Sequence, residues 1–227
     1  MSYDSALTIF SPSGELLQVD YAFQAVKLGE ATIGILCEDQ VLIGVVKHTQ
    51  NKLELPNSMS KIQKIDKNCT TAFTGLAPDG RVLMNMARRE AQVYRMTYDD
   101  PPSIEYMAKY IASIFQKMTQ TGGTRPFGVG MFISGISGKD NKPKLFQVLP
   151  GGMVTEYKAN CIGKNSDSVV EKLKSKYTDG MSLAEGKRLM MRCLYSVIDN
   201  PKDNSEIAII DKDGVSFVSK DERGELH

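Results

Sequence analysis

The sequence predicts an α+β fold in which antiparallel sheets carry helices on their outer faces. Short β-rich runs come in pairs separated by a few turn-forming residues, and the longer helical segments also come in consecutive pairs. Strand pairs grouped apart from helix pairs are typical of antiparallel sheets, whereas a parallel sheet needs regular alternation of strands with crossover helices. The predicted order is a helix, paired strands, two helices, more strands, two helices and a final hairpin.

The first predicted helix lies ahead of any strand. It begins at Leu17 and ends at Leu28. The predicted apolar face consists of Leu17, Tyr21, Ala25 and Leu28, and it is widened by Ala22 and Val26. This spacing predicts a helix with one buried face, and Gly29 is a typical residue at which such a helix ends.

Four strands are predicted next, as two hairpins. In each hairpin, two β-rich runs are separated by a short polar segment, and this arrangement favours antiparallel pairing. The runs cover residues 32–37, 41–46, 61–65 and 70–76.

Two long helices follow the hairpins. The first begins near Pro78, since proline suits the first turn of a helix, and it ends near Arg95. The second begins after Pro102, and its apolar residues recur at offsets of 3, 4, 7, 11 and 14, which is the clearest helical pattern in the chain. These residues are Ile104, Met107, Ala108, Ile111, Phe115 and Met118.

The remaining segments complete the pattern without a linker or an internal repeat. Ser182 stands three residues before Glu185, a spacing that predicts a reciprocal N-terminal cap for the last long helix. One domain covering residues 1–227 is therefore predicted. Strands are predicted at 127–136, 145–149, 158–162, 206–211 and 215–219, and helices at 166–177 and 182–198.

The composition disfavours several classes of function. The 227 residues carry a formal net charge of +1, so no strong field favours nucleic acid or an anionic membrane. No apolar run approaches the roughly 20 residues that span a bilayer, and the N-terminus does not resemble a secretory signal. The cysteines (Cys37, Cys69, Cys161 and Cys193) are widely spaced, which favours reduced thiols in an intracellular compartment.

Common catalytic and cofactor motifs are also missing from the sequence. Residues 128–130 begin like a dinucleotide fingerprint, but its third glycine is missing, so tight packing inside a strand explains them better. His48 and His227 form no recognisable metal or general-base pattern. We therefore expect no metal and no cofactor, and we interpret the charged runs 172–176 and 221–223 as solvated surface.

The N-terminal residues carry a specific resemblance. Their motifs, and others that keep the same order over nearly the whole chain, resemble the signature of proteasome α-type subunits. The motifs include Tyr3-Asp4, Phe10-Ser11-Pro12-Ser13-Gly14, Leu17-Gln18-Val19-Asp20-Tyr21-Ala22, Ser58-Met59-Ser60-Lys61-Ile62, Asp79-Gly80-Arg81-Val82-Leu83 and Arg125-Pro126-Phe127-Gly128. The resemblance implies the N-terminal-nucleophile (Ntn) hydrolase fold, a four-layer αββα sandwich of two antiparallel sheets flanked by helices.

The resemblance also bears on catalysis. Catalytic members of this superfamily free a threonine by cleavage after a glycine, and an acid and a lysine complete their site. Here Glu30 follows Gly29, and Thr32 lies two residues further along the chain. Val46 stands where the acid is expected, so only the lysine, Lys61, remains. We therefore expect no catalytic residue in this chain.

Resembling subunits form a seven-membered ring over the proteolytic chamber of the 20S core particle, and their N-termini gate its pore. A proline turn beside tyrosines and a carboxylate suits stacking and hydrogen bonding. By resemblance, the gate cluster lies in the N-terminal segment 1–29 and consists of Tyr3, Asp4, Pro12 and Tyr21. The alternative is that Pro12 and Tyr21 cap and pack the first helix.

By resemblance, Lys61, Gly29 and Leu76 form a pocket between adjacent subunits that receives the C-terminal carboxylate of an activator. A lysine ammonium is a suitable partner for a terminal carboxylate. The alternative is an ordinary exposed lysine at the end of a strand.

Arg125, Pro126 and Phe127 lie, by resemblance, on the loop that contacts a neighbouring subunit. The implied partners are other proteasome α subunits, β subunits and the C-termini of a regulatory particle or activator, with no nucleic acid and no membrane. The implied function is non-catalytic: gating, activator docking and templating of assembly for protein degradation in the cytoplasm and nucleus. Two alternatives stay open, an active N-terminal-threonine-type peptidase and a generic binding domain that forms no ring.

Overall fold

Two antiparallel sheets of five strands each lie at the centre of the fold. The computed structural model describes residues 8–47, 53, 60–138 and 140–225. In this part of the chain, helices cover the outer face of each sheet, so the four layers run helix, sheet, sheet, helix. The predicted α+β sandwich is therefore confirmed.

The helices comprise one N-terminal helix, two long pairs and two short segments. They are α1 Leu17–Leu28, α2 Ala77–Tyr98, α3 Ile104–Gln120, α4 Ser166–Lys176, α5 Leu183–Tyr195, α6 Pro201–Asn204 and α7 Lys220–Glu225. The strands are β1 Thr32–Leu36, β2 Val41–Val46, β3 Ile62–Asp66, β4 Cys69–Gly75, β5 Val129–Ile136, β6 Pro143–Leu149, β7 Met153–Glu156, β8 Ala159–Ile162, β9 Ser205–Asp211 and β10 Gly214–Phe217.

The strands form two sheets with different orders. Sheet I has the order β10-β9-β2-β1-β8, and sheet II has the order β3-β4-β5-β6-β7. The three predicted hairpins are present as the antiparallel pairs β1–β2, β3–β4 and β9–β10. Thr32 lies opposite Val45 on β2 and Ile162 on β8, so the start of β1 is paired on both sides. This pairing fixes the backbone beside the candidate site.

The core consists of three layers of buried side chains. The middle layer lies between the sheets and includes Ile43, Phe132 and Leu145. The α2–α3 pair packs on sheet II, and the α4–α5 pair packs on sheet I. Because both faces of β2 and β5 are covered, every residue of these strands is buried, which accounts for their continuous apolar runs. Among the described helices, none combines the length and the apolar character needed to cross a membrane.

The predicted bounds of α1 are confirmed, but its predicted buried face is right only in part: Ala22 and Val26 are buried, whereas other residues of that face are exposed. The residues that α1 buries are Val19, Ala22 and Val26, and the helix packs against β4 and β5. Leu28 is 81% exposed and Tyr21 is 49% exposed. The helix carries more apolar residues than its single contact with sheet II covers, so the rest lie on the surface of the isolated chain.

Three short elements were not predicted: β7, α6 and α7. β7 is the edge strand of sheet II, and its exposed Met153 interrupts the alternation that sequence patterns detect. α7 lies where the charged run 221–223 predicted only solvated surface, and that prediction is wrong in part. Arg223 donates to the Ser205 carbonyl, and Glu222 pairs with Lys187 at 2.5 Å.

The connection from β4 to α2 depends on a glycine. Gly75 has a φ of +108°, and a Cβ atom there would lie 2.2 Å from the Gly128 carbonyl oxygen. That same oxygen accepts the Leu76 N–H at 2.9 Å. A side chain at position 75 would therefore combine a strained backbone with a severe clash.

We expect Gly75→Ala to destabilise the protein by roughly 3 kcal/mol or more, because strain and clash add. Gly14→Ala is the matched control: Gly14 also has a positive φ, +84°, but nothing lies within 4 Å of an added Cβ. Its expected cost is about 1 kcal/mol, from backbone strain alone. Urea unfolding of both variants measures the difference, and equal losses would contradict the close contact at Gly75.

Candidate functional site

The predicted pocket residues come together where the end of α1 meets β4. A Cβ atom added to Gly29 would lie 2.4 Å from the Gly75 nitrogen, and Leu76 follows Gly75 directly. Lys61 lies immediately before β3 and interacts electrostatically with Glu30. We call Gly29, Glu30, Lys61 and Leu76 the Lys61 site.

Three hydrogen bonds hold the backbone that links α1 to β1. Each satisfies one carbonyl of residues 29–31, and together they connect this segment to both sheets. They are Lys164 N–H to Gly29 O at 2.7 Å, Thr74 Oγ1–H to Glu30 O at 2.5 Å and Val46 N–H to Ala31 O at 2.9 Å. We call this arrangement the 29–31 clamp. Each such bond contributes roughly 1 kcal/mol to stability and costs more when one partner is left unsatisfied.

The Lys61 ammonium is half-buried beside the clamp. Its Nζ donates to the Val46 carbonyl over a long distance of 3.5 Å. Burial lowers the pKa of Lys61, and the negative charge of Glu30 offsets part of that effect. A partly desolvated cation with one weak hydrogen bond retains donor capacity for an anionic ligand. Whether the site binds a carboxylate stays a prediction.

The described part of the site lacks a nucleophile and an acid in catalytic positions. Glu30 stands directly after Gly29, where a catalytic relative would carry its threonine. Thr32 is fully buried, and its hydroxyl donates to the Phe73 carbonyl at 3.5 Å. Near Lys61, Val46 offers a backbone carbonyl in place of a carboxylate. The described part of the site therefore offers a lysine without an accessible hydroxyl nucleophile beside it.

The described cysteines do not substitute for the missing nucleophile. Burial, aided by the charge of Glu185, raises the pKa of Cys37 to about 11. Burial likewise raises the pKa of Cys193 to about 11. Burial raises the pKa of Cys69 and Cys161 further still. These thiols stay protonated at neutral pH and are poor nucleophiles.

The predicted contact residues Arg125, Pro126 and Phe127 pack largely against their own chain. Arg125 pairs with Asp79 at the start of α2 through two bonds, Nη1 to Oδ2 at 2.7 Å and Nη2 to Oδ1 at 2.9 Å. Pro126 is buried, and the Phe127 ring packs edge-on against Phe115 with centroids 5.9 Å apart. Only Arg125 offers substantial exposed surface to a neighbour, with 57% of its side chain accessible.

Asp79 was not singled out from the sequence as a site residue, although it holds the loop that contains Arg125 against the start of α2. Its carboxylate also accepts the Gly128 N–H at 3.0 Å. Burial alone would raise the pKa of Asp79, but the bonds from Arg125 and Gly128 outweigh it and hold that pKa below its ordinary value. An acidic residue in the first turn after Pro78 is a common helix-start pattern, so this position did not stand out in the sequence.

The predicted gate residues are only partly described. Tyr3 and Asp4 lie outside the described residues. Pro12 is exposed in a turn that the Gly14 N–H closes by donating to the Ser11 carbonyl at 2.9 Å. Tyr21 lies on α1 with half of its side chain exposed. The turn and the helix are thus as predicted, while the gate cluster itself stays a prediction.

Comparison with known protein families agrees with this geometry. A family model described as "Proteasome subunit" matches residues 26–210, and a second model, the N-terminal signature of A-type proteasome subunits, matches residues 3–25. The chain therefore belongs to the proteasome subunit family. Its N-terminal signature identifies it as an α-type subunit, and an α-type subunit is non-catalytic, as the site geometry also indicates.

Similar proteins come from eukaryotes and archaea. Proteasome subunit alpha type-7 of Dictyostelium discoideum is 43% identical over 208 residues, which cover 92% of this chain and 82% of the relative. Proteasome subunit alpha of Methanopyrus kandleri is 41% identical over 215 residues, covering 94% and 87%. That of Methanocaldococcus jannaschii is 43% identical over 210 residues, covering 92% and 80%.

We expect Asp79→Asn to destabilise the protein by about 1–2 kcal/mol at pH 7. This value allows for the weakening of the ion pair by solvent, because the Arg125 side chain is largely exposed. Because folding lowers the pKa of Asp79 below its ordinary 3.8, the native carboxylate binds protons less readily than the unfolded one. Its stabilisation is therefore present above that value and is lost as the pH falls through the folded pKa.

Urea unfolding of the wild type and the variant from pH 7 to pH 2.5 tests this expectation. The gap between the two unfolding midpoints should narrow below about pH 4. Glu105→Gln is the matched control, since Glu105 also lies in a first helical turn but forms an exposed pair with Lys109. A pH-independent gap for Asp79→Asn, or an equal effect in the control, would contradict the assigned role.

Proposed function

We propose that this chain is an α-ring subunit of the 20S proteasome core particle. It joins other α subunits in a seven-membered ring, stacks on β subunits, and serves as a gate, an activator platform and an assembly template for protein degradation in the cytoplasm and nucleus. In this proposal, residues 1–227 act as one domain, with 1–29 as the gate segment and helix. The observation that carries it is the Lys61 site, which keeps a cation and lacks reactive groups.

The Lys61 site suits the docking of an activator C-terminus. A terminal carboxylate needs a cation with free donor capacity and an apolar wall for the preceding side chain. Lys61 supplies the cation, and Leu76, which is 45% exposed, supplies the apolar wall. Gly29 packs so closely against the Gly75 backbone that no side chain fits between them, which holds the end of α1 beside the site. In this proposal, Lys61 binds the terminal carboxylate of the activator.

Exposed apolar residues around α1 support assembly with further subunits. Ile9, Phe10 and Leu28 are exposed in the isolated chain, and Phe10 and Leu28 are 66% and 81% exposed. Exposed apolar side chains on both sides of α1 become more stable when a partner removes them from water. We assign the contact with a neighbouring α subunit to this surface and to the loop Arg125, Pro126 and Phe127, in which the Arg125–Asp79 pair holds the loop in position.

A second exposed apolar set supports contact with the β subunits. Val82, Val93 and Met96 are exposed on α2, and Met96 is 88% exposed. Residues at these positions recur along one helix at intervals close to whole turns, so they form a stripe. A stripe on an outer helix is suited to stacking against another ring.

We assign the gate to Tyr3, Asp4, Pro12 and Tyr21. Pro12 is exposed in a turn directly before α1, and Tyr21 is half-exposed on that helix, so both are accessible to a neighbouring subunit. A phenol hydroxyl can donate to a carboxylate while its ring stacks on proline. The alternative of an active N-terminal-threonine peptidase is disfavoured, because Thr32 is buried and its hydroxyl is bonded to Phe73.

We expect Lys61→Glu to weaken binding of an activator-derived C-terminal peptide about tenfold or more, because a cation that pairs with the ligand carboxylate becomes an anion. The probe is a fluorescein-labelled peptide of the last seven residues of an activator, titrated into particles that contain this chain. Lys64→Glu is the matched control, since Lys64 is an exposed lysine on β3 with the same charge change.

One further variant and one further peptide extend this test. Lys61→Met removes the charge with little change in volume, so it separates loss of the cation from misassembly. The same peptide with a C-terminal amide should bind the wild type as weakly as the free acid binds Lys61→Met. Equal affinity of the wild type for the acid and the amide would overturn the docking role.

A further inference from the structure

A cationic groove lies between α4 and α5, on the outer face of sheet I and away from the Lys61 site. Its volume is about 570 Å³, and its floor is formed by the apolar side of Leu189 and Cys193. Lys172 and Lys176 line it from α4, and Arg192 lines it from α5. We call this the α4–α5 groove.

The cations of the groove come in like-charged pairs, one pair on each helix. Lys172 and Lys176 are four residues apart on α4, as are Arg188 and Arg192 on α5, where Arg188 lines an adjoining cavity. All four side chains are exposed, and in the part of the chain that the structure describes, none makes an ion pair. Like charges at this helical spacing destabilise a helix. Lys176 and Arg192 lie in the last turns of their helices, where a cation interacts favourably with the helix dipole. Lys172 and Arg188 lie outside those turns and gain no such stabilisation.

Other lysines on the same helices behave differently. Lys174 on α4 pairs with Glu171 at 2.8 Å, and Lys187 on α5 pairs with Glu222 at 2.5 Å. Glu185 lines the adjoining cavity and interacts electrostatically with Arg188. Its carboxylate is already engaged by the Ser182 N–H and hydroxyl, each at 2.9 Å. The groove thus keeps an excess of positive charge within the described chain.

We propose that the α4–α5 groove binds an acidic peptide segment of a partner protein, with one apolar side chain seated on Leu189 and Cys193 and with carboxylates paired to the flanking cations. Two facing rows of cations, one on each helix, match an extended strand with acidic residues on both sides of an apolar anchor. The two rows lie on different helices, which is why the run 172–176 alone indicated only solvated surface.

The lining favours a peptide over nucleic acid. Proteins that bind single-stranded nucleic acid use aromatic side chains that stack with the bases and a positively charged groove that contacts the phosphate backbone. The floor of this groove consists of an aliphatic side chain and a thiol. Among the described lining residues, Tyr195 is the one aromatic residue. The net charge of the whole chain is only +1, so the positive potential is local.

The test uses the purified full-length chain and fluorescence anisotropy. The probe is a fluorescein-labelled seven-residue peptide with leucine at its centre and three acidic residues on each side. We expect the double variant Lys176→Glu, Arg192→Glu to weaken binding about tenfold or more, and added salt to weaken wild-type binding steeply. Replacing the central leucine of the probe by serine should weaken binding several-fold, because the apolar floor loses its contact.

Lys109→Glu, Lys174→Glu is the matched control, with the same net charge change at exposed sites outside the groove. It should bind the probe within about twofold of the wild type. Circular dichroism melting checks that both double variants fold, and Lys176→Gln, Arg192→Gln provides a milder change. Unchanged probe affinity in both groove variants would overturn the proposal, as would tighter binding of an oligouridylate that depends on the same residues.

Discussion

The 29–31 clamp is the constraint on which the rest of the structure depends. Its three hydrogen bonds connect the end of α1 to Thr74 of sheet II, to Val46 of sheet I and to Lys164 just after β8. A segment bonded to both sheets cannot shift without leaving buried carbonyls unsatisfied, which costs about 1–3 kcal/mol for each group. The clamp therefore fixes the position of α1 and the surroundings of Lys61 at the same time.

This constraint also bears on the binding role that we propose for the Lys61 site. In a catalytic relative, the backbone after the glycine must be cut so that a threonine amine is freed. Here Glu30 follows Gly29 directly, and its carbonyl accepts the Thr74 hydroxyl. The Thr32 hydroxyl is buried and bonded to the Phe73 carbonyl. A half-buried lysine without a catalytic partner still attracts anions, so the retained cation suits ligand recognition.

The sequence was most informative where one local pattern decides the structure. The apolar period of α3 and the Ser182–Glu185 spacing predicted a buried helix face and a capping box, and both are present. The buried face of α1 was predicted only in part, because which of its apolar residues become buried depends on how the helix packs against β4 and β5. The Arg125–Asp79 pair and the α4–α5 groove were missed for a related reason. Each brings together residues of separate elements, and such contacts cannot be predicted from the spacing of residues within one segment.

The most direct test of this account is the intact mass and N-terminal residue of the chain recovered from assembled particles. If the 29–31 clamp is structural, the Gly29–Glu30 peptide bond remains uncut, and the recovered chain still carries the residues that precede Glu30. A recovered chain that begins at Glu30, with a mass lower by the preceding segment, would contradict the account.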